Sequence, residues 1–443
     1  MTSAEASADG RQRGLKRTLG SSFALAVTVG GVIGLGILRT PGEIASAIPD
    51  PFLYLSLWIV GGLFVLLSTA VIAELVGMTP RSGGCYPLVR QAYGPYAGFV
   101  IGWVDWLSFV GDIALKSVVV TEFISLLFPA VVPWHTPLAI MITSVFAALQ
   151  LRGIALGARI QQVAAAGMAV IIVGFSVALL LAEPVVIANA AIPAMRTDLS
   201  TWSLVAAAII FTYDGWMYAA YFSGEVKGGS GAVARACIKG ISIVILLYVL
   251  LNAALIWSVP LSSLAGNDLA LSSALELAIS PAAAATVVVA AILILLAHEN
   301  LLYMGAPRIL HALSVDGLAS RRAQTIGRSG NPLFAVFVTW VLSVGLIMIG
   351  GFEFLLHLCV FFFVILYLAL IVGVVILRKR KPESERPYRA WGHPYSTAVC
   401  LAGWTIITVF QAVAERETAL YALIMLAVSW PVYRFLKRKM KTQ

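Results

Sequence analysis

The sequence predicts an all-α membrane protein with about twelve transmembrane helices. Three observations predict it. The 443 residues are 60% apolar and only 12% charged, with a mean hydropathy of +0.93, where soluble domains run near ~25% charged. The apolar residues fall in runs long enough to cross a bilayer. The Lys and Arg residues alternate between the connecting loops in the manner of a polytopic protein. A soluble fold of this length has no means of hiding so much apolar surface, whereas lipid does not penalise it.

The composition also excludes several function classes. The net charge of +9 sits in short clusters between apolar runs, with no basic face interleaved with aromatics, which argues against nucleic-acid binding. Cys85, Cys237, Cys359 and Cys400 form no CxxC pair and have no His at metal spacing. They read as small apolar helix residues, and no metal site or cofactor is expected. The basic first twenty residues lead into an apolar run that continues past Pro41 without a small-residue cleavage site, as in a retained first helix.

In order, the runs cover 22–47, 52–77, 94–128, 133–151, 160–182, 200–224, 238–258, 281–305, 333–350, 354–377, 396–414 and 418–436. With a cytoplasmic N-terminus, every Lys and Arg falls on the inside except Arg39, Lys116, Arg196 and Arg416. This positive-inside bias puts both termini in the cytoplasm and requires an even number of spans. Residues 1–21 and 438–443 then form cytoplasmic tails. Trp103, Trp106, Trp391 and Tyr433, near span ends, read as an interfacial aromatic belt.

Two spans carry signals of a broken backbone. Irregular backbone at membrane depth survives only inside protein or beside a water-filled cavity. Gly30, Gly31, Gly34 and Gly36 crowd the first span, and each weakens a helix by ~1 kcal/mol. Unpaired N–H groups there, aided by the positive end of the next half-helix, would bind a carboxylate. Gly30 and Gly34 are also spaced for close helix packing, and that reading stays open. The sixth span carries Phe211-Thr212-Tyr213-Asp214-Gly215-Trp216. Asp214 beside Gly215 is either a cavity-facing functional acid or an interior hydrogen-bonding group. Breaks in spans one and six are what inverted repeats would produce, with 22–182 as the first repeat, 200–378 as the second, and two further spans over 395–437.

The stretch Gly30-Gly31-Val32-Ile33-Gly34-Leu35-Gly36-Ile37-Leu38-Arg39-Thr40-Pro41 resembles the first-helix signature of the amino acid–polyamine–organocation superfamily, most closely its bacterial L-amino acid transporter branch. Four more stretches agree in order: Glu74 with Pro80–Tyr86 and Tyr93-Gly94-Pro95; Phe211–Trp216 with Glu225-Val226-Lys227; Asn300, Pro307-Arg308 and Asp316-Gly317; and Pro387–Pro394. The resemblance implies a LeuT-like 5+5 inverted repeat with discontinuous helices one and six, alternating access, and an L-amino acid held between those helices. It implies that the backbone at Ile33, Gly34, Leu35 and Gly36, with Ile37 following, holds the substrate carboxylate. It implies that the backbone at Phe211, Tyr213 and Asp214, beside Gly215, receives the amino group, and that Phe211 is an aromatic gate.

One departure bears on energy coupling. Many members of that family carry a lysine in the fifth helix, and aligning Gly157–Gln162 places Met168 there. Other ionisable groups lie at membrane depth. Asp112 and Lys116, four apart with the acid first, suit an intrahelical pair. Glu299 adjoins Asn300, where the family usually has small or apolar neighbours. Lys116 or Glu299 is therefore the expected replacement for the missing cation, set against a mutually neutralising pair and a buried hydrogen-bonded carboxyl.

Without a Walker motif, the functional expectation is a secondary transporter of L-amino acids, mainly neutral, working in the inner membrane by uniport, exchange or proton symport. Its partners are the amino acid and the lipid bilayer. Two other classes compete: a transporter-like sensor, against which the short tails argue, and a polytopic membrane enzyme, for which no catalytic constellation is visible.

Overall fold

A computed structural model describes residues 15–186, 195, 198–350, 352–414 and 416–441. Most of the N-terminal tail, the end of the C-terminal tail and Arg196 thus lie outside the described residues. Among the described residues there are sixteen α-helices and no β-strand. Leu19 and Val226 form an isolated bridge.

The first apolar run is two helices, α1 (Ser21–Val32) and α2 (Gly36–Ala47). Then come α3 (Pro51–Gly77), the short α4 (Cys85–Tyr93), α5 (Pro95–Leu127), α6 (His135–Arg152) and α7 (Ile154–Leu181). The sixth run is also divided, into α8 (Leu199–Thr212) and a 3₁₀ segment, Trp216–Phe222. It is followed by α9 (Gly229–Ser258), the short α10 (Leu261–Leu264) and α11 (Ala270–Ala278), α12 (Pro281–Val315), α13 (Leu333–Ile349), α14 (Phe352–Arg380), α15 (Tyr395–Ala414) and α16 (Arg416–Lys441). Among the described residues, seven helical segments are long and apolar enough to cross a membrane by length and composition, with α1–α2 taken as one. The protein is therefore a helical membrane protein.

Several predicted boundaries shift for one physical reason: an apolar run marks lipid depth, while a helix continues as long as its backbone bonds do. α12 continues ten residues beyond the predicted end of its run, and α7 and α9 begin before theirs. The predicted loop over 152–159 shrinks to Gly153, whose φ of 113° turns the chain directly from α6 into α7. The 33-residue α5 carries Asp105, Asp112, Lys116 and Glu122, which lower its mean hydropathy. It tolerates them because it is packed against α12, α4, α14 and α6. The aromatic-belt reading is corrected for Trp106, buried and donating to Thr339 Oγ1 at 3.1 Å, and for Tyr433, buried beside Tyr96.

The packing surrounds the two breaks. α1 lies against α7, α9 and the 3₁₀ segment, and α2 against α8. α5 and α12 pack together along their length, as do α3 and α9. Three ionic clusters tie the loops together. Arg308 meets Glu225 at 2.7 and 2.9 Å and Asn331 at 3.2 Å. Asp316 takes Arg81, Arg90 and the Tyr86 hydroxyl. Glu74 takes Arg378, Arg386 and the Ala390 N–H. The Asp316 carboxylate stabilises the charged form of Arg90 and opposes ionisation of Tyr86, whose burial also raises its pKa.

Candidate substrate-binding site

The first break is a short interruption whose loose ends are held by side chains. Ile33 is extended (ψ 96°), and its N–H closes α1 on the Val29 carbonyl. The last two carbonyls of α1 would otherwise be orphaned. Gly31 O is 3.1 Å from His298 Nε2, and Val32 O accepts the Tyr248 hydroxyl at 2.9 Å. Beyond the break, Leu38 and Arg39 donate to Leu35 O. The N–H groups of Leu35, Gly36 and Ile37 find no backbone acceptor among the described residues. They form the positive end of α2.

The second break presents the opposite polarity. Asp214 N–H donates to Phe211 O at 3.0 Å, while the carbonyls of Tyr213 and Asp214 accept no backbone bond among the described residues. Gly215 adopts φ 106° to swing the chain into the 3₁₀ segment. The breaks touch at their glycines: a Cβ on Gly31 would lie 2.9 Å from Gly215 O, and one on Gly215 would lie 2.6 Å from the Gly31 carbonyl carbon. Thr212 Oγ1 donates to Thr40 Oγ1 at 2.8 Å, which joins α8 to α2.

A cavity of about 340 Å³ lies between the breaks. Gly31, Val32, Gly34, Leu35 and Gly36 line one wall, and Phe211, Thr212, Asp214 and Gly215 another. Asp112 and Lys116 of α5, His298 of α12 and Tyr367 of α14 also line it. Its volume is at the low end of the ~300–1,000 Å³ of small-molecule sites. The N–H groups of Leu35 and Gly36 on one side and the Asp214 carbonyl on the other, without backbone partners among the described residues, suit the two ends of a zwitterion.

The glycines of the first break divide between the two readings of that cluster. A Cβ on Gly30 would meet Gln161 Nε2 at 2.8 Å and Ala165 Cβ at 3.1 Å, so Gly30 serves packing against α7. Gly34 faces the cavity, where a Cβ would have His298 at 3.7 Å. Ile33 and Ile37 are fully buried and do not line the cavity. Tyr213 is likewise fully buried and outside the cavity lining, its hydroxyl donating to Trp58 O at 3.2 Å and its ring packing edge-on to Trp58. Asp214 accepts a hydrogen bond from Tyr367, whose ring stacks on Trp216 at 5.5 Å.

The coupling candidates separate. Asp112 and Lys116 form an ion pair on the cavity wall. Glu299 lies outside the cavity lining: Oε1 accepts from Ser117 Oγ at 2.9 Å, and Oε2 is buried with no hydrogen-bond partner among the described residues. Asn300 donates to Gly157 O and Gln161 Oε1, both at 3.1 Å, and so fastens α12 to α7. Met168 is buried in α7, away from the cavity lining. No group of three or more His, Cys, Asp or Glu residues able to hold a metal ion occurs among the described residues.

Sequence reasoning had not assigned His298, Tyr248 or Tyr367. His298 offered a signal, being an ionisable residue at membrane depth. The two tyrosines sit in ordinary apolar runs and carry no local signal.

A family model described as amino acid permease matches residues 19–433. The chain belongs to the amino acid permease family. It is similar to the serine/threonine exchanger SteT of Bacillus subtilis (strain 168), at 24% identity over 96% of this chain and 98% of that protein. It is also similar to the human large neutral amino acids transporter small subunit 2, at 24% identity over 97% of this chain and 82% of that protein. The gamma-aminobutyric acid permease of B. subtilis is 25% identical over 97% of this permease and 95% of its own length.

Proposed function

We propose that this permease is a secondary-active transporter of neutral L-amino acids that works by alternating access. The observation that carries the proposal is the 340 Å³ cavity lined by both breaks. There, the N–H groups at the start of α2 take the α-carboxylate and the Asp214 carbonyl takes the α-ammonium. The names of the relatives, which specify serine/threonine and large neutral amino acids, support a neutral substrate.

The architecture that goes with this reading has twelve spans in two inverted repeats of five, at 22–182 and 200–378, followed by two more at 395–437. Both termini lie in the cytoplasm of a cell whose inner membrane holds the protein. The matched positions of the two breaks and the distribution of Lys and Arg support it. The Gly31–Gly215 contact and the Thr40–Thr212 bond give each repeat's broken helix a grip on the other, so the two rearrange together.

Uptake of labelled L-amino acids into proteoliposomes containing the purified permease tests the reading. Saturable uptake, competed by unlabelled L-isomers and not by D-isomers, is the expected result. Stabilisation by an amino acid without flux would instead indicate a sensor. For coupling, Glu299 keeps one buried oxygen without a hydrogen-bond partner among the described residues, and the groups around it are Ser117, Thr143, Tyr303, Lys116 and Asp112. In a proton symporter, Glu299→Gln is expected to remove the pH dependence of uptake while counterflow exchange persists. A pH profile identical to wild type in that variant would remove Glu299 from the mechanism.

A further inference from the structure

The Asp112–Lys116 pair is placed to do more than neutralise itself. Its neighbours Ile113, Ala114 and Ser117 are fully buried, yet the Asp112 and Lys116 side chains keep 23% and 17% of their surface exposed. Both line the cavity. Lys116 Nζ engages only Asp112 Oδ1 among the described residues. The second carboxylate oxygen and the remaining ammonium hydrogens therefore keep free valences on the cavity wall. The pair lies on α5, whereas the groups suited to the zwitterion come from α2 and from the end of α8. An amino acid anchored at the breaks has its side chain left to meet α5.

From this we infer that Asp112 and Lys116 form a side-chain subsite that selects neutral polar amino acids, those ending in a carboxamide or hydroxyl. The inference rests on the transporter reading above and deepens it. Such a group accepts from the ammonium and donates to the carboxylate at once. A cationic or anionic side chain satisfies one partner and meets like charge at the other. An apolar side chain covers both and leaves them without water or a substitute, a loss that a site built on hydrogen bonds imposes on the analogue lacking the polar group.

Matched near-isosteres test it: threonine against valine, asparagine against leucine, glutamine against methionine. Dissociation constants are measured by calorimetry on the purified full-length permease, with competition for uptake in proteoliposomes as a second readout. At least one polar member is expected to bind about tenfold or more tightly than its apolar match. Lys116→Met is expected to bring that ratio close to one by weakening the polar member. Should this variant fail to fold, the double variant Asp112→Leu with Lys116→Leu removes the pair without stranding a charge, and the same collapse is expected. Valine, leucine and methionine binding as tightly as their partners would overturn the inference, as would a polar preference that survives the double variant. If none of the six binds or moves, the transporter reading itself fails, a result distinct from transport without polar selection.

Discussion

Gly215→Ala should abolish uptake and lower the yield of folded protein. Gly215 holds φ 106°, a region that costs an L side chain about 1–3 kcal/mol where the surroundings enforce it. The new methyl group would also point at the Gly31 carbonyl carbon at 2.6 Å, and that neighbour is backbone, which cannot rotate aside. Relief requires the two breaks to separate, and with them the walls of the cavity. Gly31→Ala should fail similarly, because its Cβ meets Gly215 O at 2.9 Å. The contrast is Gly174→Ala in the interior of α7, where a Cβ meets nothing within 4 Å. That change should be neutral or stabilising by about 0.5–1 kcal/mol. Thermal melting in detergent and counterflow in proteoliposomes check all three. Wild-type uptake in Gly215→Ala would show that the contact between the breaks is not needed.

Arg308→Ala should destabilise by about 3–5 kcal/mol, the usual cost of breaking a buried ion pair from one side. The Arg308 and Glu225 side chains are 1% and 2% exposed, with two bonds of 2.7 and 2.9 Å between them. The guanidinium also reaches Asn331 at 3.2 Å and lies 4.9 Å from the centre of the Phe222 ring. Removing it strands a carboxylate where water does not reach. Arg308→Lys should rescue little, since an ammonium cannot make the paired contacts of the planar fork. The double variant Arg308→Met with Glu225→Gln should lie well above Arg308→Ala in melting temperature, because no charge is left behind. A melting temperature unchanged by Arg308→Ala would mean that the cluster contributes nothing to stability.

Both breaks are legible in the sequence, but for different reasons. Gly30–Gly36 stood out because glycine is rare at that density in a helix. Asp214-Gly215 stood out because an acid at membrane depth is costly. What the glycines did was not legible: Gly30 and Gly34 are equivalent in sequence, yet one packs on α7 and the other faces the cavity. Asp112 and Lys116 could be paired by their spacing alone, since four residues span one helical turn. That the pair faces the cavity, and Glu299 does not, depends on how α5 and α12 are rotated against their neighbours.

The sequence by itself determined the solvent, the helical class and the places where helices break. Those properties follow from local quantities, namely hydropathy over a span and the conformational range of glycine, which neighbours in space do not change. The tertiary structure alone decided which groups meet. His298 and Tyr248 hold the orphaned carbonyls of α1 from 267 and 216 residues away, and Tyr367 reaches Asp214 across 153. A hydrogen bond depends on distance in space, and no local pattern encodes a partner so far along the chain.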